Sequence, residues 1–165
     1  MKLKGIIFED FVNYKKPCIT LEFPTCSFKC DKEAGVTICH NNNLANAEDI
    51  ECSINDICIQ YLQNKITEAV CLQGLEPLDD FNSVFKLTMY LRDKFRCEDD
   101  IVIYTGYKED EVKKEIDYLS RYKNIIVKFG RYIPNRPSVY DDVLGVFLSS
   151  DNQYAKLISK KEIYG

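Results

Sequence analysis

Apolar and polar positions alternate along Cys18–Phe23 (Cys-Ile-Thr-Leu-Glu-Phe), which predicts a strand. From Ser53 the period changes. Ile54, Ile57, Cys58, Tyr61 and Leu62 recur at i, i+3, i+4, i+7 and i+8, so they define one apolar helix face. Ser53 is placed to cap that helix, with Asp56 three residues on. A short apolar run, Ala69 to Leu72, is closed by Gly74. Asp79 or Asp80 then caps a second helix carrying Phe81, Val84, Phe85, Thr88 and Leu91 on one side. Ile101 to Tyr104 reads as a buried strand, and Glu109 to Arg121 as a third helix with Val112, Ile116 and Leu119 inward. Ile125–Val127 and Val143–Leu148 follow as strands.

Strands alternating with helices predict parallel strands joined by crossover helices. About four such units fit before residue 130, which is half of an eight-unit barrel or an open α/β sheet. In both architectures the functional edge is where strands end and loops begin. The whole chain, 1–165, reads as one domain.

One stretch breaks the pattern. Residues 24–52 have no clean period of 2 or 3.6 and read mostly as one long loop, which follows the first strand at that functional edge. The loop holds four of the eight cysteines, the only histidine, and the Asn41–Asn43 run. Unstructured loops of this length are commonly functional.

Composition narrows the classes. With 45% hydrophobic and 29% charged residues the chain is globular rather than disordered. Net charge is −4, distributed as −6 over residues 1–82 and +2 over the rest. Neither half is basic enough for nucleic acid to be the main partner. No apolar run approaches the roughly 18 residues of a membrane span, and Gly5–Phe8, closed by Glu9 and Asp10, is too short for a signal-peptide core. A cytoplasmic protein with no membrane partner is therefore expected, and its cysteines call for another explanation than a secreted disulfide framework.

Cys26, Cys30 and Cys39 are spaced C-x3-C-x8-C on the loop. Thiolates are soft ligands suited to zinc or iron–sulfur clusters. Three of them on a loop can wrap one cuboidal cluster and leave the fourth iron open. They can also be plain reduced thiols. Cys18 and Cys58 fall on apolar phases, where cysteine acts as a small hydrophobe. Cys71 and Cys97 show no ligand spacing, while Cys52 is within sequence reach of a site.

Cys26-Ser-Phe-Lys-Cys30, with Cys39-His40-Asn41 behind it, resembles the cluster loop of radical S-adenosylmethionine enzymes. Gln73-Gly74-Leu75-Glu76-Pro77-Leu78 is similar to the family's Gly-Gly-Glu-Pro-Leu segment, which receives the methionine end of the cosubstrate. Tyr104-Thr105-Gly106-Tyr107, Phe129-Gly130-Arg131-Tyr132 and Ser149-Ser150-Asp151-Asn152-Gln153 resemble, in order, the Tyr-Thr-Gly-Tyr, Asp-Gly-Arg-Phe and Gly-Ser-Ser-Asn-Gln segments of the anaerobic ribonucleoside-triphosphate reductase activating proteins. The resemblance spans almost the whole chain. It also has departures. Glu33 stands where the family's third cysteine belongs and Cys39 lies six residues later, so Asp31–Ile38 reads as a tolerated extension that supplies no ligand. Leu75, Phe129 and Ser149 replace a Gly, an Asp and a Gly of the family pattern.

The resemblance implies an α/β fold, a partial (βα) barrel with parallel strands of the radical S-adenosylmethionine type. It implies a 4Fe–4S cluster on Cys26, Cys30 and Cys39, whose open iron takes the amino and carboxylate groups of S-adenosylmethionine. Reductive cleavage then yields methionine and a 5′-deoxyadenosyl radical, which abstracts hydrogen from a backbone glycine of a large partner enzyme. The implied partners are the large subunit of an anaerobic ribonucleoside-triphosphate reductase and a flavodoxin- or ferredoxin-like electron donor. The implied cosubstrate contacts are Gly74, Glu76, Phe28, Thr105 and Asn152. Gly74 is expected to let backbone approach the ligand closely. Glu76 either faces the ligand's ammonium or caps the turn before Pro77, and His40 either packs beside the cofactors or faces solvent. Two other classes remain open on the sequence. One is a zinc-binding interaction module using the three cysteines with His40 or Cys52. The other is a radical enzyme acting on a small molecule.

Overall fold

The computed structural model describes residues 1–161. In chain order the strands are β1 (Lys2–Leu3), β2 (Gly5–Asp10), β3 (Cys18–Phe23), β4 (Ile50–Glu51), β5 (Ala69–Gly74), β6 (Asp100–Tyr104), β7 (Ile125–Phe129), β8 (Val139–Asp141), β9 (Val146–Leu148) and β10 (Tyr154–Leu157). The helices are α1 (Lys29–Ala34), α2 (Asn42–Ala45), α3 (Ile54–Gln63), α4 (Phe81–Met89) and α5 (Lys113–Leu119). The main sheet has six strands in the order β10-β7-β6-β5-β3-β2. Its four central strands, β3, β5, β6 and β7, are parallel. The outer two, β2 and β10, are antiparallel to their neighbours. The result is an open mixed sheet, and no closed barrel forms among the described residues.

Side-chain alternation gives each central strand two faces. On the first, Ile19, Leu21, Phe23, Val70, Leu72, Ile101, Ile103, Ile125, Val127 and Phe129 pack with Ile57, Tyr61, Val84, Leu87 and Leu119 of the helices. On the second, Cys18, Ala69, Cys71, Val102 and Ile126 are covered by Tyr14 from the β2–β3 connection, by Leu144 between β8 and β9, and by Leu148 of β9. Toward the C-terminal ends of the strands this second face turns polar, and the candidate site lies there.

The predicted helices are present with adjusted ends. Ser53 Oγ accepts the Asp56 N–H at 3.2 Å and starts α3, but Leu62, expected on its buried face, is exposed. Asp80, not Asp79, caps α4 by accepting the Ser83 N–H. Glu109–Arg121 is not one helix: a 3₁₀ turn over Glu109–Glu111 precedes α5. Val143–Leu148 is a strand only in part and does not join the main sheet. Only Val146–Leu148 is extended, and it pairs with β8 in a separate hairpin. Residues 24–52 are also not wholly irregular, since α1, α2 and β4 fall within them. Cys18, Cys58, Cys71 and Cys97 are all buried, as small hydrophobes in the core. No helix among the described residues is long and apolar enough to cross a membrane.

Candidate metal centre

The site begins where β3 ends. The chain passes Pro24 and Thr25, presents Cys26, and turns through Phe28 into α1, which carries Cys30. Phe28 adopts a left-handed conformation, φ 52°, and this aims its N–H at Cys26 Sγ, 3.1 Å away. After Gly35 the chain returns to present Cys39. Asp31 holds that return: its Oδ1 accepts the N–H of both Ile38, at 2.7 Å, and Cys39, at 2.8 Å. The backbone N–H of Asn41 points at Cys39 Sγ, 3.4 Å away.

Four further anchors fasten this loop to the rest of the fold. Asp79 accepts the Ser27 N–H at 2.9 Å and also the Tyr107 hydroxyl. Asn41 Nδ2 donates to the Gly74 carbonyl at 2.7 Å. Glu33 lies 3.3 Å from Arg131 Nε, and Lys29 lies 3.4 Å from Glu111. The Asp31–Ile38 extension therefore does more than span a gap, because two of its carboxylates position the loop. Arg131 is the hub. It is 5% exposed, donates twice to Glu111 at 2.8 and 2.6 Å and once to the Gly106 carbonyl. That bidentate pairing holds Glu111 down to a pKa of about 2.

Cys26, Cys30 and Cys39 line one cavity of about 320 Å³ together with Gly74, Glu76 and Thr105. The structure thus brings six of the eight sequence-predicted site residues to one place. The other two do not line the cavity. Phe28 contributes its N–H to Cys26. Asn152 donates from Nδ2 to the Arg131 carbonyl at 2.8 Å, and its buried Oδ1 has no hydrogen-bond partner. Ser149 and Gln153 line the cavity on that side. His40 faces solvent at the rim, its ring 4.5 Å from that of Tyr132. Cys52 does not line the cavity. It pairs with Met1 through backbone bonds in both directions at 2.8 Å.

The backbone of β3 by itself requires Gly74: its φ is +99°, and a Cβ there would lie 2.5 Å from Phe23 N and 2.8 Å from Glu22 C. Glu76 takes the capping role: its carboxylate accepts the Leu78 N–H at 3.1 Å, the Thr105 hydroxyl at 2.8 Å and the Gly106 N–H at 2.8 Å. Burial pushes its pKa up to about 7, against the pull of those donors.

Sequence reasoning missed Lys128. It is the one charged residue in β7 (Ile-Ile-Val-Lys-Phe), and a lone lysine near the end of an apolar strand is a readable signal. Its Nζ donates to the Gly130 carbonyl at 2.9 Å while the side chain lines the cavity. Burial lowers its pKa to about 8, with Glu76 and Cys30 acting in the opposite direction.

These residues fit an iron–sulfur cluster. Two of the three sulfurs face backbone N–H groups, the outer-shell arrangement that orients thiolates and tunes a cluster's potential. Burial pushes the Cys26 thiol up to about 11 and raises that of Cys30, while Arg131 and Lys128 favour the Cys30 thiolate. Those two cations also offset the net negative charge of a thiolate-ligated cluster. Among the described residues, no three His, Cys, Asp or Glu side chains converge on a single metal-ion point.

A model of the 4Fe-4S single cluster domain family matches residues 18–153. The chain belongs to that family, and a single 4Fe–4S cluster is the cofactor class it defines. Searches of curated proteins and of solved structures found no match.

Proposed function

We propose that the protein is a radical S-adenosylmethionine activase. In this reading it binds one cluster through Cys26, Cys30 and Cys39 and generates a glycyl radical on an anaerobic ribonucleoside-triphosphate reductase. The observation that carries the reading is the meeting of three loop thiols with Gly74, Glu76 and Thr105 in one cavity at the ends of parallel strands. Crevices outside the carboxyl ends of such strands are where α/β sheets bind ligands. When bound, a 4Fe–4S cluster with three protein ligands supplies one electron and an open iron, the chemistry that splits S-adenosylmethionine into methionine and the hydrogen-abstracting 5′-deoxyadenosyl radical.

The chain's own residues supply position and electrostatics. Asp31 and Asn41 set the third thiol. Arg131 and Lys128 place positive charge beside Cys30. Glu76 ties the β5 end to the β6 end, which fixes the wall that faces the cosubstrate. The choice of reductase rests on the resemblance of Tyr104–Tyr107 and Ser150–Gln153 to its activators, and both segments border this cavity. An open sheet leaves room for a glycine-bearing polypeptide segment.

Anaerobically reconstituted protein should be brown, with about four irons per chain. Cys39→Ala should lose them and Cys52→Ala should keep them. Reduced protein mixed with S-adenosylmethionine and the reductase from the same source should give a glycyl-radical doublet by electron paramagnetic resonance. Cosubstrate cleavage without the doublet, with a small molecule consumed instead, would overturn the partner assignment. A colourless protein holding one zinc would overturn the whole reading.

A further inference from the structure

The two segments that cover the second face of the sheet are apolar on both of their sides. Inward, Tyr14 of the β2–β3 connection packs on that face with Leu144 and Leu148 of the β8–β9 hairpin. A hairpin with one buried side ordinarily turns polar side chains to water. Here Tyr140 and Phe147, which stand opposite each other across β8 and β9, are both exposed. Their rings meet edge to face with centroids 5.2 Å apart, and Phe147 is 72% exposed. Phe11 and Val12 of the β2–β3 connection are 64% and 76% exposed.

The two segments are joined. Lys15 donates its backbone N–H to the Leu144 carbonyl at 2.7 Å, and a Cβ on Gly145 would lie 2.6 Å from Lys15 Cβ. Both segments also reach the cavity: Asn13, next to Val12, and Ser149, two residues after Phe147, line it. The exposed turn is braced from within. Asp10, 4% exposed, accepts the N–H of Val12 at 2.8 Å, the N–H of Asn13 at 3.2 Å and the Asn13 side-chain amide at 2.6 Å. The Tyr104 hydroxyl donates to the Asn13 carbonyl at 2.6 Å. Apolar side chains on a backbone already held in shape lose little freedom when a partner covers them, and contiguous ones mark interaction sites.

Volume decides what covers them. The cavity holds about 320 Å³, at the lower limit of roughly 300 Å³ for pockets that bury one small ligand. A cluster and one cosubstrate leave no room there for a second small molecule. A substrate must present its reacting atom at the mouth while the rest of it stays outside, against the apolar segments that border the mouth.

We propose that Phe11, Val12, Tyr140 and Phe147 form the docking surface for the polypeptide that carries the substrate glycine, and that they take an apolar patch of that partner. This rests on the reading of the protein as an activase.

The test is anaerobic titration calorimetry of the cluster-loaded protein, with S-adenosylhomocysteine present, against the reductase large subunit from the same source. Wild type is compared with Phe11→Ser, Phe147→Thr and, as a control on the opposite layer, the exposed Leu62→Ser of α3. Truncating an aromatic anchor of an interface weakens binding about tenfold to thirtyfold. Phe11→Ser and Phe147→Thr should each lose that factor, and Leu62→Ser should lose nothing. Unchanged cluster absorbance and thermal unfolding of the variants separate the loss from misfolding. Variants that bind the reductase as tightly as wild type, while the glycyl radical still forms, overturn the surface and leave the function standing. Equal losses for Leu62→Ser overturn it as well. So does a wild-type dimer that Phe147→Thr dissociates with reductase binding unchanged, because the face then belongs to a second copy of this chain. Wild type that cleaves S-adenosylmethionine but binds no reductase overturns the partner reading and the surface with it.

Discussion

Asp31→Ala should loosen the cluster without touching a ligand. One oxygen, Oδ1, accepts two backbone N–H groups, from Ile38 at 2.7 Å and Cys39 at 2.8 Å. Hydrogen bonds to a charged acceptor contribute about 1.5–3 kcal/mol each. Both lie in a part-buried setting, so the lower end applies, and the pair holds the returning arm by roughly 3 kcal/mol. At about 1.4 kcal/mol per factor of ten, the equilibrium constant for holding Cys39 in place falls about a hundredfold. The assay is competition with a strong iron chelator under anaerobic conditions, read as cluster absorbance against chelator concentration. Asp31→Asn keeps an acceptor at Oδ1 without the charge and should fall between wild type and Asp31→Ala. Chelator curves for Asp31→Ala that overlay wild type would refute the role assigned to this carboxylate. Equal losses for Asn and Ala would show that charge, not the hydrogen bonds, sets the loop.

Gly74→Ala forces a side chain onto φ +99° and into the Phe23 backbone. Left-handed strain and overpacking together cost roughly 3–4 kcal/mol, so the melting temperature should drop by about 10 °C; a drop of only a degree or two would contradict the close approach of β3. Glu76 gives a pH dependence of definite sign. Its folded pKa, about 7, lies above the ordinary 4.5, so the folded state holds the proton more tightly. In the iron-free protein the contribution of Glu76 to stability should be fully present below the ordinary value and be lost, roughly 3 kcal/mol in all, as pH rises through about 7. The difference in unfolding free energy between wild type and Glu76→Gln should follow that slope, and a flat difference from pH 4 to 8 would exclude it.

The central strands were legible because they are buried on both faces and read as apolar runs, as in Ile101–Tyr104 and Ile125–Val127. The outer strands were not. β2 leaves Ile7 and Phe8 exposed, and β10 exposes Tyr154 and Leu157, so neither shows a buried stripe. α1 was hidden for a similar reason, since none of its residues is buried. The parallel centre of the sheet was announced by the alternation of strands and helices, while the antiparallel pairing of β2 and β10 at its edges was announced by no local pattern. At the site, cysteine spacing and the Gly74–Glu76 segment were readable as chemistry. The roles of Asp79 and Arg131 were not, because their partners lie far away in sequence: Asp79 meets Ser27, and Arg131 meets Glu33.

That separation has a consequence for biogenesis. The three thiols fall within the first quarter of the chain, but the groups that hold their loop arrive much later: Asp79, then Tyr107 and Glu111, and last Arg131. A chain emerging from the ribosome displays its cysteines long before it can shape them into a pocket. Iron captured in that interval meets flexible, competing thiols rather than a defined site. The ligand set proposed above therefore predicts that the cluster is inserted after synthesis, once β7 and Arg131 just beyond it are in place.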